Sequence, residues 1–567
     1  MPQIVESIRW PRMMRWGKGE HTYIRPVHSV ISLFDEQPLS IRIFGIASGT
    51  TTVGHRTLAP EPIEVSSFGD YVEKLELGMV ILDGERRRLV MAEKSRALAQ
   101  QLRGVPAADE SIWSQWQFLT EFPGVVRAEF RPEYLTLPEE VLVTVMRVHQ
   151  KQLPIRNEAG TLTNSFLAVM DNVADPDGNA ASGNAFVTNA RFADAKFFYE
   201  TDRRKPLDDR LEALSHLQFQ EKLGDYRKKT ERIEKIVASL CGALKCQSAA
   251  ALRAARLCKT DLVTEMVKEF TDLQGKIGGI YAREEGQREE VWQAIYDHYL
   301  PVNVEDRLPR TLSGALVSLA DKIDTLYGFF AVGQKPTGSK DPFGLRRAAQ
   351  GVVQILLSRD PWEVPLGIEQ LVGFAAAAYG QPTAGPVVAE LLAFFEERVR
   401  TLLETDAYAL AYDEVAAAMA AGWTQSLPDL LERAKALHLA RGNPQFLAIL
   451  DSARRIANIT ADQPVSRVDE SLFEVDAERR LSEIGTMLTQ QIDELISGRH
   501  YERALESFAG MAPELEAFFK EVMVMVDDPA VRANRTALLR KVGGAVRRVG
   551  DVTKIVVDRR GYAPKSK

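Results

Sequence analysis

Hydrophobic and polar residues recur with helical spacing at the start of the stretch 320–357, around which the rest of the chain is organised. Ile323, Leu326 and Phe330 are three or four residues apart, so they lie on one side of a helix. Asp321 and Asp324 are three residues apart and share a polar face. The pattern predicts an amphipathic helix that ends in the turn-rich run 333–339.

A second helix is predicted directly after that run. Asp341 is expected to cap it, and Pro342 suits its first turn. A helix start offers unpaired backbone N–H groups, and four basic side chains flank this one: Lys335, Lys340, Arg346 and Arg347. The combination suits a phosphate group. The alternative is a solvated connector whose charges face water.

The remaining pattern divides the chain into four predicted domains. Residues 1–183 mix predicted strands at 27–34 and 39–46 with helices at 71–77 and 84–102, followed by two strands around a turn at 158–160. From residue 184 onward the chain is overwhelmingly helical. Breaks near 359 and 465 separate a helical domain at 184–359, a second at 360–465 and a C-terminal bundle at 466–567.

Composition narrows the class of protein. The 567 residues are 45% hydrophobic and 26% charged with a net charge of −7, so any RNA contact must come from local basic patches. Three cysteines are too few and too irregular for a disulfide framework or a zinc site. Neither a signal peptide nor a bilayer-spanning segment is recognisable, which predicts a cytoplasmic protein without a membrane partner.

Seven long stretches resemble, in order, successive blocks of the β subunit of bacterial heterotetrameric glycyl-tRNA synthetase. The most specific contains PTGSKDPFGLRRAA at 336–349. The others are RWGKGEHTYIRPVHSVISLF (15–34), GHRTLAPEPIE (54–64), NARFADAKFFYETDRRKPLDDR (189–210), FQEKLGDYRKKTERI (219–233), DLVTEMVKEFTDLQG (261–275) and FFKEVMVMVDDPAVRANRTALL (518–539). Family members normally carry roughly one further domain ahead of the first block, so the resemblance implies that the usual N-terminal part is lacking here.

The resemblance implies a multidomain, mainly α fold. Its N-terminal part, residues 1–183, would be a tRNA-binding or accessory α+β domain similar to one in the phenylalanyl-tRNA synthetase β chain. An HD-like helical domain at 184–359, a helical linker domain at 360–465 and a helical anticodon-binding bundle at 466–567 would follow. The family's α subunit makes glycyl-adenylate with ATP and Mg²⁺, while β binds and positions tRNA(Gly) in an α2β2 assembly. This chain would therefore be a subunit of an enzyme without a complete active site, and would bind no cofactor itself.

The C-terminal bundle carries the second predicted RNA-binding surface. Its final stretch, from Arg532 to the C-terminal Lys567, contains many basic residues and few acidic ones. Anticodon bases are single-stranded, so a protein can bond their edges while Lys and Arg hold the backbone. Phe518 or Phe519 would stack on a base if exposed. The residues predicted to bind RNA here are Arg532, Asn534, Arg535, Arg540 and Lys541.

Two other functions stay open at this point. The first is a metal-dependent HD-type phosphohydrolase, with His298 and either Asp321 or Asp324 as ligands; we expect no metal, because Lys259-Thr260-Asp261 stands where the His-Asp pair belongs. The second is a free-standing RNA-binding scaffold. His21, His28, His55 and His149 are scattered and predict no metal site.

Overall fold

The computed structural model describes residues 2–338, 340–443 and 445–557 of the chain. Its helices are α1 Pro2–Ser7, α2 Phe68–Leu77, α3 Gly84–Gln100, α4 Glu110–Trp116, α5 Glu139–Thr144, α6 Asn179–Asp202, α7 Tyr226–Leu244, α8 Ala249–Leu257, α9 Glu265–Glu269, α10 Lys276–Glu284, α11 Glu289–Asp297, α12 Leu312–Ala331, α13 Leu345–Leu357, α14 Ile368–Ala378, α15 Pro386–Leu403, α16 Tyr412–Ala420, α17 Leu427–Arg441, α18 Phe446–Thr460, α19 Asp476–Ser497, α20 Tyr501–Ala509, α21 Ala512–Glu521 and α22 Pro529–Arg547.

The strands are few, short and antiparallel. They are β1 Met14–Arg15, β2 Thr22–Tyr23, β3 Leu33–Phe34, β4 Gln37–Pro38, β5 Arg42–Ile43, β6 Ile46–Ala47, β7 Thr51–Val53, β8 Pro62–Glu64, β9 Gly104–Pro106, β10 Gly124–Glu129, β11 Leu153–Asn157, β12 Leu162–Met170, β13 Gln218–Gln220 and β14 Gly224–Asp225. The prediction of a mainly helical, multidomain chain is confirmed. No helix formed by the described residues is long and apolar enough to cross a membrane.

The chain folds into two compact units. The first comprises the described parts of Met1–Arg204 and Thr264–Leu273, and the second those of Lys205–Val263 and Gln274–Lys567. The predicted domain boundary at 183/184 therefore falls inside α6, a helix of the first unit. The helix is continuous because no glycine or proline interrupts it after Gly183.

The first unit is built on a four-stranded sheet in the order β10-β12-β11-β9. Strand β10 alternates buried and less buried positions, as expected for a strand with one covered face. Helices α3 and α4 cover the other face of the sheet, that of Leu167 and its partner Arg127, where Met91 and Trp116 pack against Leu153 and Leu167. The predicted strand pair around 158–160 is confirmed as β11 and β12.

The strands predicted at 27–34 and 39–46 are much shorter in the structure. Only β3 and β4, then β5 and β6, form, each pair as a small hairpin. Asp35 and Glu36 have φ angles of 50° and 64°, which is the turn geometry that joins two strands through two residues. The strand predicted at 39–46 is interrupted because Phe44 and Gly45, with φ angles of 52° and 79°, form the turn between β5 and β6.

The second unit is organised around α12, which is buried along nearly its whole length. The hydroxyl of Thr311 caps the helix by accepting a hydrogen bond from the Gly314 N–H at 3.1 Å. Helices α7, α8, α11, α13, α14 and α15 pack against it. The polar face predicted for Asp321 and Asp324 is real, but it is buried, because α7 supplies cations opposite both carboxylates.

The C-terminal helices α18 to α22 form a bundle in the second unit. Helix α22 packs between α19 and α18, and α20 packs against α17. Leu538, Leu539 and Val542 of α22 are completely buried. Because α17 and α18 precede residue 466, the bundle's packing extends across the predicted boundary at 465/466.

Candidate functional sites: a buried ion cluster and two basic surfaces

A cluster of charged side chains lies inside the second unit, where α7 meets α12. Lys229 Nζ is 2.9 Å from Asp321 Oδ1 and 3.0 Å from Asp324 Oδ2. Arg232 Nε is 2.6 Å from Asp324 Oδ1. The two cations are three residues apart on α7, as the two carboxylates are on α12, so each pair occupies one helix face. Removing one partner of such a buried pair typically costs about 3–5 kcal/mol.

Lys259 and His298 complete the cluster. Lys259 Nζ lies 2.8 Å from Asp321 Oδ2 and 2.9 Å from His298 Nε2. His298 Nδ1 is 2.6 Å from the Ile295 carbonyl oxygen, so Nδ1 carries the proton and Nε2 accepts from the Lys259 ammonium. Burial, and then the charge of Lys259, hold the pKa of His298 well below its ordinary value. The imidazole is therefore neutral.

The cluster does not suit a metal ion. The predicted HD-type ligands His298 and Asp321 do converge, but the ammonium of Lys259 occupies the point between them. Burial raises the pKa of Asp321, and the charges of Lys229 and Lys259 more than reverse this, so it lies below the ordinary value. Asp324 is engaged by Lys229 and Arg232. The charges a metal would neutralise are already neutralised by protein cations.

Asp261, the last residue of the Lys259-Thr260-Asp261 run, has a structural role. Its Oδ2 accepts backbone N–H groups from Gly275 at 2.5 Å and Gly278 at 3.2 Å. A Cβ on Gly278 would lie only 2.9 Å from that oxygen, so the contact requires glycine. Burial raises the pKa of Asp261 to about 6.

A convergence of possible metal-binding side chains occurs in the first unit at His55, Glu121 and Asp171. The Nδ1 atom of His55 accepts backbone N–H groups from Thr57 and Leu58 at 3.3 and 3.2 Å. The proton therefore sits on Nε2, which lies 3.1 Å from Asp171 Oδ2. A protonated Nε2 is not a metal ligand, so the arrangement suits an electrostatic contact between His55 and Asp171.

The basic loop between α12 and α13 is held by its own residues. Helix α13 begins at Leu345, which corrects the predicted start near Pro342. The Asp341 carboxylate accepts the N–H groups of Leu345 and Arg346, both at 2.9 Å. Because these two N–H groups are taken, the helix start is a poorer phosphate site than the sequence predicts. The Phe343 ring lies 4.3 Å from that of Phe329, at the base of the loop.

The four predicted phosphate-binding residues of this loop have different environments. Arg346 Nη2 donates to the Gly338 carbonyl oxygen at 2.6 Å, and Lys335 pairs with Glu390. Lys340 and Arg347 are exposed, and no ion pair engages either one within the described residues. The RNA-binding prediction for all four stays a prediction, and the geometry favours Lys340 and Arg347.

The predicted RNA-binding residues of α22 lie largely inside the bundle. Asn534 donates to the Asp469 carbonyl at 2.8 Å and accepts the Asp469 N–H at 2.7 Å. Arg535 is 3% exposed and donates to Glu478, Glu474 and the Met523 carbonyl. These positions do not suit contact with RNA, because the donors are already bonded inside the protein. The sequence could not reveal acceptors so far away along the chain.

The other three predicted residues of α22 are less buried. Arg532 donates to the Val526 carbonyl at 3.0 Å, and Arg540 donates to carbonyl groups of the 460–464 segment. Lys541 is exposed and donates to the Thr486 hydroxyl at 2.8 Å. Phe518 is buried, and Arg455 lies 3.8 Å from the ring of the half-buried Phe519. Residues of the predicted basic stretch after Val557 lie outside the described residues.

Comparison with known proteins assigns the chain to a class and then to a family. The class is that of mainly helical proteins built from more than one compact unit. Residues 1–420 match the family described as "Glycyl-tRNA synthetase beta subunit", and the chain belongs to this family.

Curated relatives agree over nearly the whole chain. The glycine–tRNA ligase beta subunit of Acidobacterium capsulatum is 37% identical, over 98% of this chain and 81% of that protein. Those of Clostridioides difficile and Neisseria gonorrhoeae are 35% and 34% identical, over 98% and 97% of this chain and 80% and 79% of theirs.

Proposed function

We propose that this chain is the β subunit of a glycine–tRNA ligase. It binds tRNA(Gly) and holds the terminal adenosine where glycyl-adenylate made by a partner α subunit reacts, in an α2β2 assembly in the cytoplasm. The observation that carries the proposal is the match of 98% of the chain to a glycine–tRNA ligase beta subunit at 37% identity.

In this proposal the two subunits divide the reaction. ATP and Mg²⁺ bind the α subunit, and this chain binds no cofactor and supplies no catalytic residue. Its contribution is to orient the tRNA, which converts an encounter of two molecules into a reaction within one complex. The exposed Lys340 and Arg347 of the basic loop, and Lys541 of α22, are its proposed phosphate contacts.

The finer domain assignments belong to the same proposal. The first unit corresponds to the α+β domain similar to one in the phenylalanyl-tRNA synthetase β chain. The helices around α12 correspond to the HD-like domain, and helices α18–α22 correspond to the anticodon-binding bundle. The position of Lys259 between His298 and Asp321 supports an HD-like domain without a metal. It speaks against the phosphohydrolase alternative, and the relatives' names speak against a scaffold that acts without a synthetase.

The test uses the chain, its α subunit and their mixture. Pyrophosphate exchange with glycine and ATP should require α, and glycylation of tRNA(Gly) should require both polypeptides. A tRNA of the same length that accepts a different amino acid is the control. It carries the same number of phosphates and should not be glycylated. Exchange by this chain alone, or full glycylation by α alone, would contradict the proposal.

A further inference from the structure

The residues 8–27, which we call the N-terminal basic segment, reverse the charge of the chain locally. Five Lys and Arg residues stand here against one acidic residue, Glu20, whereas the whole chain has a net charge of −7. The five are Arg9, Arg12, Arg15, Lys18 and Arg25. A local excess of cations in an acidic protein points to an anionic partner.

These five cations are exposed and lack carboxylate partners among the described residues. Six other arginines of the same unit do form ion pairs: Arg86, Arg88, Arg127, Arg147, Arg156 and Arg191. The charge of the N-terminal basic segment is therefore not neutralised within the unit. It remains available to a partner.

Aromatic side chains lie among the cations. The rings of Trp10 and Tyr23 meet edge to face at 6.0 Å, and Tyr23 and Trp16 pack against the buried Phe44 at 4.9 and 5.8 Å. The outermost ring, Trp10, is 38% exposed. Large apolar side chains of the segment, including Met14, are also exposed, so the surface offers apolar contacts as well as positive charge.

The backbone holds this arrangement in place. Strands β1 and β2 pair Met14 with Tyr23 and Arg15 with Thr22, which sets cations and aromatics on one hairpin. Glu6 of α1 accepts the Phe44 N–H at 2.9 Å and so ties the start of the chain to the aromatic cluster. Cations and a partly exposed ring are thus presented by a folded segment.

We propose that the N-terminal basic segment binds a single-stranded part of the tRNA. The guanidinium and ammonium groups contact phosphates, and Trp10 stacks on an unpaired base, because only single-stranded RNA offers a free base face. The inference rests on the proposed function and deepens it. It places RNA contacts in the first unit, where none of the predicted RNA-binding residues lies.

The experiment measures tRNA(Gly) binding by the complex of this chain with its α subunit, over a range of salt concentrations. The triple variant Arg12→Ala, Arg15→Ala, Lys18→Ala removes three of the unpaired cations. Its matched control, Arg86→Ala, Arg88→Ala, Arg127→Ala, removes three ion-paired cations from the same unit. We expect the first to lower affinity at least tenfold and to reduce the salt slope by roughly 2, as for three single-strand phosphate contacts. We expect the control to change the slope by less than about 0.5.

The ring contact is tested separately. Trp10→Ala should lower the affinity for tRNA about tenfold at unchanged salt slope, whereas Trp10→Phe should restore most of it, because base stacking needs an aromatic face. In glycylation the loss should appear as a higher KM for tRNA. A twelve-nucleotide single-stranded RNA should compete with the tRNA for this surface better than a duplex of the same length.

The outcomes are distinguishable. Equal affinity and salt slope in the triple variant and the wild type would overturn the inference. Loss of assembly with α at normal thermal stability would also overturn it, in favour of a protein interface. Should the triple variant fail to fold, the single variants Arg12→Ala and Lys18→Ala must each reduce the slope by about 0.7. A wild-type complex that binds tRNA(Gly) without glycylating it would count against the proposed function instead.

Discussion

Two basic stretches of this chain differ in the burial and ion pairing of their side chains. Helix α22, part of the densest basic run, turns Arg535 inward onto Glu478 and Glu474. The N-terminal basic segment leaves its cations exposed and without carboxylate partners among the described residues. The number of cations in a sequence therefore does not give the charge of a surface. A cation contributes to the surface charge only if its side chain is exposed and no carboxylate of the protein pairs with it.

The buried half of this comparison gives the largest expected effect. Arg535→Ala should lower the free energy of unfolding by about 3–5 kcal/mol, because Glu478 would remain buried without its cation. Urea denaturation of the full chain measures the change. Lys541→Ala, on the exposed side of the same helix, is the control and should change stability by no more than about 0.5 kcal/mol. Equal losses in both variants would break the distinction between buried and exposed cations.

The second prediction concerns the buried carboxyl group of Asp261, which should make the free energy of unfolding depend on pH. Asp321 faces two ammonium groups and its pKa is lowered, whereas burial raises the pKa of Asp261 to about 6 from 3.8. The folded state therefore binds the Asp261 proton more tightly than the unfolded state. Stability from this group is full below pH 3.8 and is lost as pH rises through about 6.

The measurement compares unfolding of the wild type and Asp261→Asn between pH 4 and 8. Over that range the wild type should lose about 2.5 kcal/mol relative to the variant, with the change complete above pH 7. The amide retains an oxygen for the Gly275 and Gly278 N–H groups, so the fold should persist. A difference that does not vary with pH would show that Asp261 is ionised normally.

The third prediction concerns Lys259, a cation as completely paired as Arg535. Lys259→Met should cost about 1–3 kcal/mol, less than Arg535→Ala, because Asp321 keeps Lys229 as a partner. The His298 pKa should rise, since a nearby positive charge is removed, and NMR titration would detect it. Lys268→Met, at an exposed position of helix α9, is a control for losing a lysine. Increased stability would mean that the desolvation of Lys259 outweighs its pairing.

Local patterns predicted local structure well and long-range pairing poorly. The helical spacing of Ile323 and Leu326 and the turn between β11 and β12 were sufficient to find those elements. The burial of Arg535 was missed because Glu478 lies 57 residues away, and Lys229 was missed as the partner of Asp324, 95 residues away. The spacing of Lys229 and Arg232 matches that of the two carboxylates, and was the one available signal.

Substitution of the exposed cations of the basic loop should have the smallest effect, a small loss of affinity for tRNA. Lys340→Ala and Arg347→Ala should each weaken tRNA binding by about 0.2–1 kcal/mol, since exposed ionic contacts are weak. The double variant should reduce the salt slope by about 1.4 to 1.8, as for two phosphate contacts. Thermal stability should not change. Arg346→Ala is the matched control from the same loop: it removes the bond to the Gly338 carbonyl, so it should lower stability more than Arg347→Ala does. If the double variant binds tRNA with an unchanged salt slope, these exposed cations face only solvent, and exposure without a carboxylate partner is not sufficient to identify an RNA contact in this protein.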